Sequence, residues 1–398
     1  MSLPCTRRRF LAASGALGLM ALSARAQTGK TDAQSGGRRL KGLVILVDFP
    51  GTLRPVSRDF VIERFRKLSH FVQEMSYGRV EAGFDFTPWL TLPEPIGRYA
   101  ISPINLEVDK SRVNRLIQHA IDAADGQDFS RYDYLVIYLA ARFKDYGMVG
   151  LCGYPGMLGW SQDIAFKTSG RGQAVPNGVA IFTATAHLGT LFHDSAHVWG
   201  GVVDGKRQVP CLYDHDLQRA HPTIEQGWEH ALINMGYWDP MSCHAYKWQA
   251  PPPGISSWTK LRLGWLPLDK VRMVDPDTPT EILLGPLEDA TYETLVIRIP
   301  LDAQRYILIE NRQPIGSYDP VLPGHGVLIM HADDRVAECR FGKAPVRLVD
   351  ANPERPHLLG AAFSLPGRCC YLDAENRIDI RLLERVGFAY RIRIGRPH

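Results

Sequence analysis

The order of hydrophobic and polar positions divides the chain into two regions of different periodicity. Continuous apolar runs predict buried strands at 40–51, 132–140 and 177–183. Between Arg58 and Met75 the apolar residues recur at helical spacing, which predicts an amphipathic helix. From about residue 278 onward the apolar runs are short, alternating and bounded by turns, which is typical of exposed-edge and sandwich strands.

This change in the periodicity of apolar positions predicts an α+β fold. We expect an α+β domain at residues 40–277 and an all-β, sandwich-like C-terminal domain at residues 278–398. The segment 258–267 is expected to close the first domain. Residues 150–160, GLCGYPGMLGW, contain glycines without the strand–glycine–helix order of a phosphate loop, and we interpret them as a flexible loop.

The N-terminus has the pattern of an export signal. TRRRFL, which begins at Thr6, resembles the twin-arginine signature, and an apolar run from Leu11 to Leu22 precedes Ala24-Arg25-Ala26, a small-residue cleavage site. The run is shorter than the ~18 to 20 residues that span a bilayer. We predict a twin-arginine-type signal peptide at 1–26, a disordered linker at 27–39, and a bacterial protein that is periplasmic or extracellular.

Charge changes the expected partners. The formal net charge is +4, but the predicted signal contains four arginines and no acid, so the remaining chain has 42 basic and 42 acidic residues. A neutral mature protein gives no electrostatic reason to expect a nucleic acid partner or a stable membrane association. Neither is predicted, and the oligomeric state is left open.

Six cysteines follow Cys5, which lies in the predicted signal. Their irregular spacing matches no zinc-ribbon pattern, and in an oxidising compartment some of them are expected to pair. The sequence does not give the connectivity.

The strongest chemical motif is TLFHDSAHVWGG, residues 190–201. On a helix, His193 and His197 share one face at about 6 Å between Cβ atoms, so both can bind one metal ion. Gly200 and Gly201 supply a helix end directly afterwards. Zinc favours imidazole nitrogens and takes three protein ligands at catalytic sites. Because the chain has 13 histidines, two buried helix histidines without a metal stay an alternative.

Together with this motif, several segments resemble the immune inhibitor A family of secreted zinc metallopeptidases. They follow the family's order between about residues 40 and 334. The segments are LVILVDFPG, FVQEMSYGRVEAGFDFTPWLTLP, DFSRYDYLVIYLA, GTLFHDSAHVWGG, CLYD, WDPMS, SWTKLRLGWL and ILIENRQPIGSYDPVLPGHGVLIMHAD. The resemblance implies a zincin-like metallopeptidase domain at 40–277, zinc as cofactor, and a protein or peptide substrate.

The family pattern also implies roles for individual residues. His193 and His197 correspond to its zinc ligands, and Met241 to the residue on the floor beneath the metal. Asp194 stands where the family has the glutamate that acts as general base, and it is one methylene shorter. We therefore expect a weakened base, with a solvated helix residue as the alternative.

The family pattern leaves alternatives for the third ligand. The family has an aspartate six residues after the second histidine, where this chain has Val203. A slip of one residue makes Asp204 the preferred ligand. Asp214 and Cys211, in VPCLYD at 209–214, are the alternatives, and any of these acids can instead cap a turn.

These observations predict an exported zinc-dependent endopeptidase with a weakened general base. The alternative is a catalytically inactive relative that binds a peptide or glycan.

Overall fold

The computed structural model describes residues 37–101, 107–160 and 166–397. The predicted signal peptide, at residues 1–26, and residues 27–36 of the predicted linker lie outside the described residues. Residues 38 and 39 do not belong to a linker, because the first strand already begins at Arg38.

The first two-thirds of the described chain alternate strands and helices. In chain order they are β1 (Arg38–Asp48), α1 (Arg58–Met75), β2 (Val80–Phe86), β3 (Leu90–Thr91), α2 (Lys110–Ala123), β4 (Tyr134–Leu139), α3 (Phe143–Tyr146), β5 (Gly150–Tyr154), β6 (Val179–Thr183), α4 (Leu188–Gly200), β7 (Val202–Val203), β8 (Lys206–Arg207), α5 (His215–Arg219), α6 (Ile224–Ala231) and α7 (Ser257–Leu263). The sequence-based strands therefore correspond to β1, β4 and β6, and the amphipathic helix to α1.

One sheet organises this region, with strand order β2-β1-β4-β6-β5 and with β3 also paired to β1. Its strands run parallel except β5, which is antiparallel to β6. Val44 and Leu46 pack with α1 and α4, whereas Ile45 and Val47 pack with α2 on the opposite face. Because both faces are covered, these strands appear in the sequence as continuous apolar runs.

The interpretation of residues 150–160 as a flexible loop is wrong for their first half. Gly150–Tyr154 form strand β5, the last strand in the order of the sheet. Three of its five residues are buried. Glycine at two of the five positions hides the apolar alternation that marks a strand, because the pattern depends on side chains.

The remaining strands build two antiparallel layers. They are β9 (Val271–Met273), β10 (Thr280–Leu284), β11 (Val296–Pro300), β12 (Arg305–Arg312), β13 (Gly326–Asp333), β14 (Val346–Leu348), β15 (Cys370–Asp373), β16 (Ile378–Val386) and β17 (Ala389–Gly395). One sheet has the order β14-β13-β12-β11-β9 and the other β10-β17-β16-β15. Only the pairing of β9 with β11 is parallel in these sheets.

Alternation along the strands explains how the layers pack. Ile307 and Ile329 of the five-stranded sheet share a core with Ile380 of the four-stranded sheet, as in a sandwich. Their neighbours Leu308 and Leu328 point the other way, into the core that also contains α1 and α4. The β-rich C-terminal region is thus confirmed, and its first strand begins at residue 271, before the predicted boundary.

Residues from Gly37 onward form one compact unit. The division into domains at 40–277 and 278–398 therefore stays a prediction, since one apolar core contains residues from both sides of it.

Within the described residues, no helix has the length and apolar character needed to cross a membrane. The six cysteines after Cys5 are all free thiols. The expected pairing of some of them is therefore not found.

Candidate metal centre

Helix α4 carries both histidines of the motif, as the i, i+4 spacing predicts. Its N-terminus is capped by His187, whose Nδ1 accepts a hydrogen bond from the Gly189 amide at 3.0 Å. Its C-terminus is set by Gly201, which has a φ of 64°. Residues Gly189 to Trp199 are all buried, so the helix passes through the interior and both histidines lie away from bulk solvent.

Two imidazoles and one thiol converge at a single point. Cys211 Sγ lies 3.4 Å from His193 Nε2 and 3.5 Å from His197 Nε2. The three side chains are buried, and in the described part of the chain they form the one group of three or more potential ligands close enough to share a metal ion. We call these three residues the His-His-Cys cluster.

Hydrogen bonds fix the protonation of both imidazoles. His193 Nδ1 lies 2.9 Å from the Pro240 carbonyl oxygen, and His197 Nδ1 lies 2.6 Å from that of Val209. A carbonyl oxygen can only accept, so each Nδ1 carries the proton and donates it. Burial lowers the pKa of His193, and lowers that of His197 further, which keeps both rings neutral. Each Nε2 therefore presents a lone pair towards Cys211.

This arrangement is unfavourable without a cation at its centre. Three lone-pair donors meet, and the thiol of Cys211 can supply at most one proton to them. The two imidazoles also have the carbonyl partners that commonly orient histidine ligands of metals. In its donors and in its supporting hydrogen bonds the cluster is therefore a candidate metal-binding site.

The distances fit a tetrahedral zinc ion. With Zn–S near 2.3 Å and Zn–N near 2.0–2.1 Å, tetrahedral geometry places sulfur and nitrogen about 3.5–3.6 Å apart. The observed separations of 3.4 and 3.5 Å agree with this spacing. A set of two nitrogens and one sulfur also suits a borderline-soft ion, and three ligands leave a fourth position for a substrate or water.

Positive charge surrounds the sulfur. Burial raises the pKa of the Cys211 thiol, but the opposing effects of His215 and Arg207 outweigh it, and the net pKa is lowered. Arg207 Nη2 lies 3.9 Å from the sulfur, and both its Nη2 and its Nε bind the carboxylate of Glu338, at 3.0 and 3.2 Å. These groups favour the thiolate, which is the form that binds a metal.

Asp194 is buried beside the first histidine. Burial raises its pKa to about 7, and interaction with His193 opposes that rise. Its Oδ2 has no hydrogen-bond partner among the described residues and faces Gly150 of β5, where a Cβ would lie 2.7 Å from it. Asp194 is thus not the solvated helix residue considered as an alternative.

Met241 lies in a buried turn that connects two of the ligands. The preceding Pro240 accepts the hydrogen bond from His193, and the Met241 carbonyl accepts one from the Leu212 amide at 2.8 Å, next to Cys211. Asp239 closes the turn by accepting from the Met241 amide at 2.7 Å. Met241, which the family resemblance places beneath the metal, therefore lies in a turn that adjoins the cluster.

Comparisons with known proteins give little further information. No protein-family model matches the chain, and no curated protein matches it. Among solved structures the chain is similar to wild-type OgpA from Akkermansia muciniphila, with a TM-score of 0.32 and 11% sequence identity over 77% of this chain and 87% of that chain. A TM-score this low establishes neither fold nor function.

Asp204, the preferred third ligand in the sequence, is not in the cluster. It is exposed at the turn between β7 and β8, with a φ of 50°, and this hairpin carries it away from the histidines. Cys211 lies beside the two histidines instead. The sequence analysis gave Cys211 only as an alternative, because the family pattern has an aspartate there.

Asp214 is not in the cluster either. It caps α5 by accepting from the amides of Asp216 and Leu217, and its other oxygen accepts from the Gly342 amide at 2.7 Å. Arg207 and His215 were not selected from the sequence at all. Neither has a characteristic spacing to the histidines, since Arg207 ends β8 and His215 begins α5, and only the path of the chain brings both to the sulfur.

Proposed function

We propose that this protein is an exported, zinc-dependent hydrolase of peptide bonds with a zincin-like catalytic region. His193, His197 and Cys211 would hold the zinc ion, and Asp194 would serve as the general base. The observation that carries the proposal is the convergence of two imidazole lone pairs on one sulfur, at 3.4 and 3.5 Å. If the thiol donates its hydrogen to one imidazole, the Nε2 lone pair of the other imidazole has no donor in the cluster.

Zinc, when bound, acts as a Lewis acid that polarises the carbonyl under attack. The chain itself contributes the proton acceptor. A carboxylate with a pKa near the working pH is well suited to general base catalysis, and burial gives Asp194 such a pKa. Its unpartnered Oδ2 leaves an acceptor available for the proton of the attacking water.

The position of β5 supports a peptide as the substrate. This antiparallel strand ends the sheet order and lies against α4, and Gly150 adjoins Asp194. A strand at a sheet edge offers backbone donors and acceptors with which an extended peptide can pair. In β5 the Cys152 and Gly153 carbonyls already accept from the Met157 and Leu158 amides, at 2.8 and 3.0 Å, so a substrate would pair with the start of the strand, next to Asp194. This is also the feature that favours a zincin-like fold.

The alternative is a catalytically inactive relative that binds a peptide or glycan. Its support is the depth of the cluster, since His193, His197 and Cys211 are 2%, 1% and 3% exposed. A site this enclosed can hold zinc for stability without admitting a substrate. Both proposals predict bound zinc, but only the first predicts that the protein hydrolyses peptides.

Metal analysis and proteolysis of the full chain test both proposals. We expect about one zinc per chain, retained by Asp204→Asn and lost by Cys211→Ala, together with cleavage of an unstructured protein such as casein that a chelator abolishes. Zinc without cleavage under any condition would favour the inactive relative. Zinc retained by Cys211→Ala would contradict the site itself.

A further inference from the structure

Two adjacent cysteines at the start of β15 hold their sulfurs together. Cys369 Sγ and Cys370 Sγ are 3.4 Å apart. Consecutive side chains of a strand point to opposite faces of the sheet, so this contact requires the backbone to leave regular strand geometry at Cys369. Strand β15 accordingly begins only at Cys370.

The pair differs from the other described cysteines in its access to solvent. Cys370 is exposed and Cys369 half-buried, whereas Cys152, Cys211, Cys243 and Cys339 are buried. Strand β15 is the last in the order of its four-stranded sheet. A soluble thiol or disulfide can therefore reach the pair without any opening of the fold.

A cation lies beside the two thiols. Arg381 is the partner of Cys370 in the ladder between β15 and β16, and both sulfurs interact with its charge. The next residue, Leu382, donates its amide hydrogen to the Cys369 carbonyl at 2.8 Å, which holds the backbone of the pair against β16. Arg381 is itself paired with Asp379 at 2.6 Å, and the hydrogen bond with Cys369 raises the pKa of the Cys370 thiol despite this cation. The proximity of the two sulfurs and their access to solvent, and not a charge-stabilised thiolate, therefore suit the pair to disulfide exchange.

We propose that Cys369 and Cys370 form a reversible dithiol–disulfide site, which reacts with small or protein disulfides. One thiolate attacks a sulfur of the incoming disulfide and expels one thiolate, leaving a mixed disulfide. The second thiol loses its proton and attacks the sulfur of its neighbour, so the second thiolate departs. The pair is oxidised by two electrons with loss of two protons, and the incoming disulfide is reduced to two thiols.

The ring formed in this way is reversible because it is strained. Consecutive Cα atoms are about 3.8 Å apart, whereas disulfides usually join Cα atoms at roughly 4.4–6.8 Å. Strained and exposed disulfides are more easily reduced than structural ones. The site is therefore suited to switching between two states and not to a permanent cross-link.

Mass spectrometry of the full chain tests this proposal directly. Trypsin cleaves after Arg368 and Arg377, and the resulting peptide contains both cysteines and no others. After equilibration with glutathione disulfide, acid quenching and alkylation, we expect this peptide to be lighter by two hydrogens and unalkylated. A mild dithiol reductant should restore two alkylatable thiols while the protein stays folded.

Single substitutions supply the control. Cys369→Ser and Cys370→Ser each lack the second nucleophile, so each should accumulate a stable glutathione adduct on the remaining cysteine. A peptide that stays doubly alkylated in glutathione disulfide would overturn the proposal. It would also fail if the unsubstituted chain retained a glutathione adduct, or linked either cysteine to another cysteine or to a second chain.

Discussion

Asp194 can be tested at the level of one functional group. Asparagine keeps the size of the side chain and removes its ability to accept a proton, so Asp194→Asn should reduce peptide hydrolysis by roughly 10²–10⁴-fold. Zinc content should stay unchanged, because Asp194 is not in the His-His-Cys cluster. Paired measurements of metal content and cleavage rate check this prediction. Loss of zinc together with activity would assign Asp194 to metal binding instead.

Asp194→Glu tests whether the aspartate is too short to act as the base. The sequence resemblance predicts that Asp194 lies too far from the water, in which case the longer glutamate side chain would raise the cleavage rate. The structure indicates the opposite, because the carboxylate already lies in a buried space between α4 and β5. Adding a methylene to a packed interior costs about 1–3 kcal/mol. We expect a lower cleavage rate and a lower melting temperature, and a tenfold rise in rate would contradict this expectation.

The convergence of the two histidines could be predicted from the sequence, whereas the third member of the His-His-Cys cluster could not. Helical spacing places His193 and His197 on one face whatever the rest of the chain does. Cys211 reaches them only through the path of the 207–214 segment, which is fixed by distant contacts such as the bond between Leu212 and Met241. No spacing rule contains that information. The counting argument from the family therefore led to Asp204.

At the scale of elements, the close approach of β5 to α4 depends on one glycine. A methyl group at Gly150 would lie 2.7 Å from both Asp194 Oδ2 and Thr190 Cγ2. Gly150→Ala should therefore displace the carboxylate and reduce hydrolysis at least tenfold, about 1.4 kcal/mol of barrier, while zinc stays bound.

Gly83→Ala is the matched control in the same sheet. It lies in β2, and a Cβ at this position would have nothing within 4 Å. Measured side by side, Gly150→Ala should cleave more slowly and Gly83→Ala should match the unsubstituted protein, with the zinc content of both variants unchanged. Equal activities for the two variants would mean that Asp194 is not positioned by β5.

Helices and strands with a regular apolar pattern could be predicted from the sequence, and those without one could not. Strand β12 and helix α1 show a regular apolar pattern, because each buries a whole face or stripe against a core. Strand β5 does not, since glycine contributes no side chain to the pattern. Its role follows from tertiary contact with α4, which periodicity does not encode.

At the scale of the whole molecule, the β-rich region contacts the turn beside the His-His-Cys cluster through a buried charge. Arg312 of β12 donates to the Trp238 carbonyl at 3.2 Å and pairs with Glu310 and Asp319 at 3.1 and 2.7 Å. Trp238 precedes the Asp239–Met241 turn that contacts His193. Removing one partner from these buried ion pairs costs about 3–5 kcal/mol, and the same guanidinium holds the Trp238 carbonyl, so Arg312 joins the turn to the five-stranded sheet.

This coupling predicts that both regions unfold together. All eight tryptophans lie between residues 89 and 265, so tryptophan fluorescence follows only the region before the sandwich. Hydrogen exchange of peptides from 278–395 follows the sandwich itself. Because the two regions share one apolar core, we expect both signals to change at the same denaturant concentration, as in a cooperative transition.

A chelator should lower that common midpoint, because zinc at 100 times its Kd stabilises the folded state by about 2.7 kcal/mol. Cys211→Ala supplies the matched control, since its midpoint should be insensitive to the chelator if the stabilisation comes from the His-His-Cys cluster. If fluorescence changed well before the exchange of 278–395, the two regions would be independent domains and the sandwich would not depend on the metal centre. If the chelator shifted only the fluorescence transition, the buried contacts of Arg312 would not transmit the stability of the metal centre to the sheet.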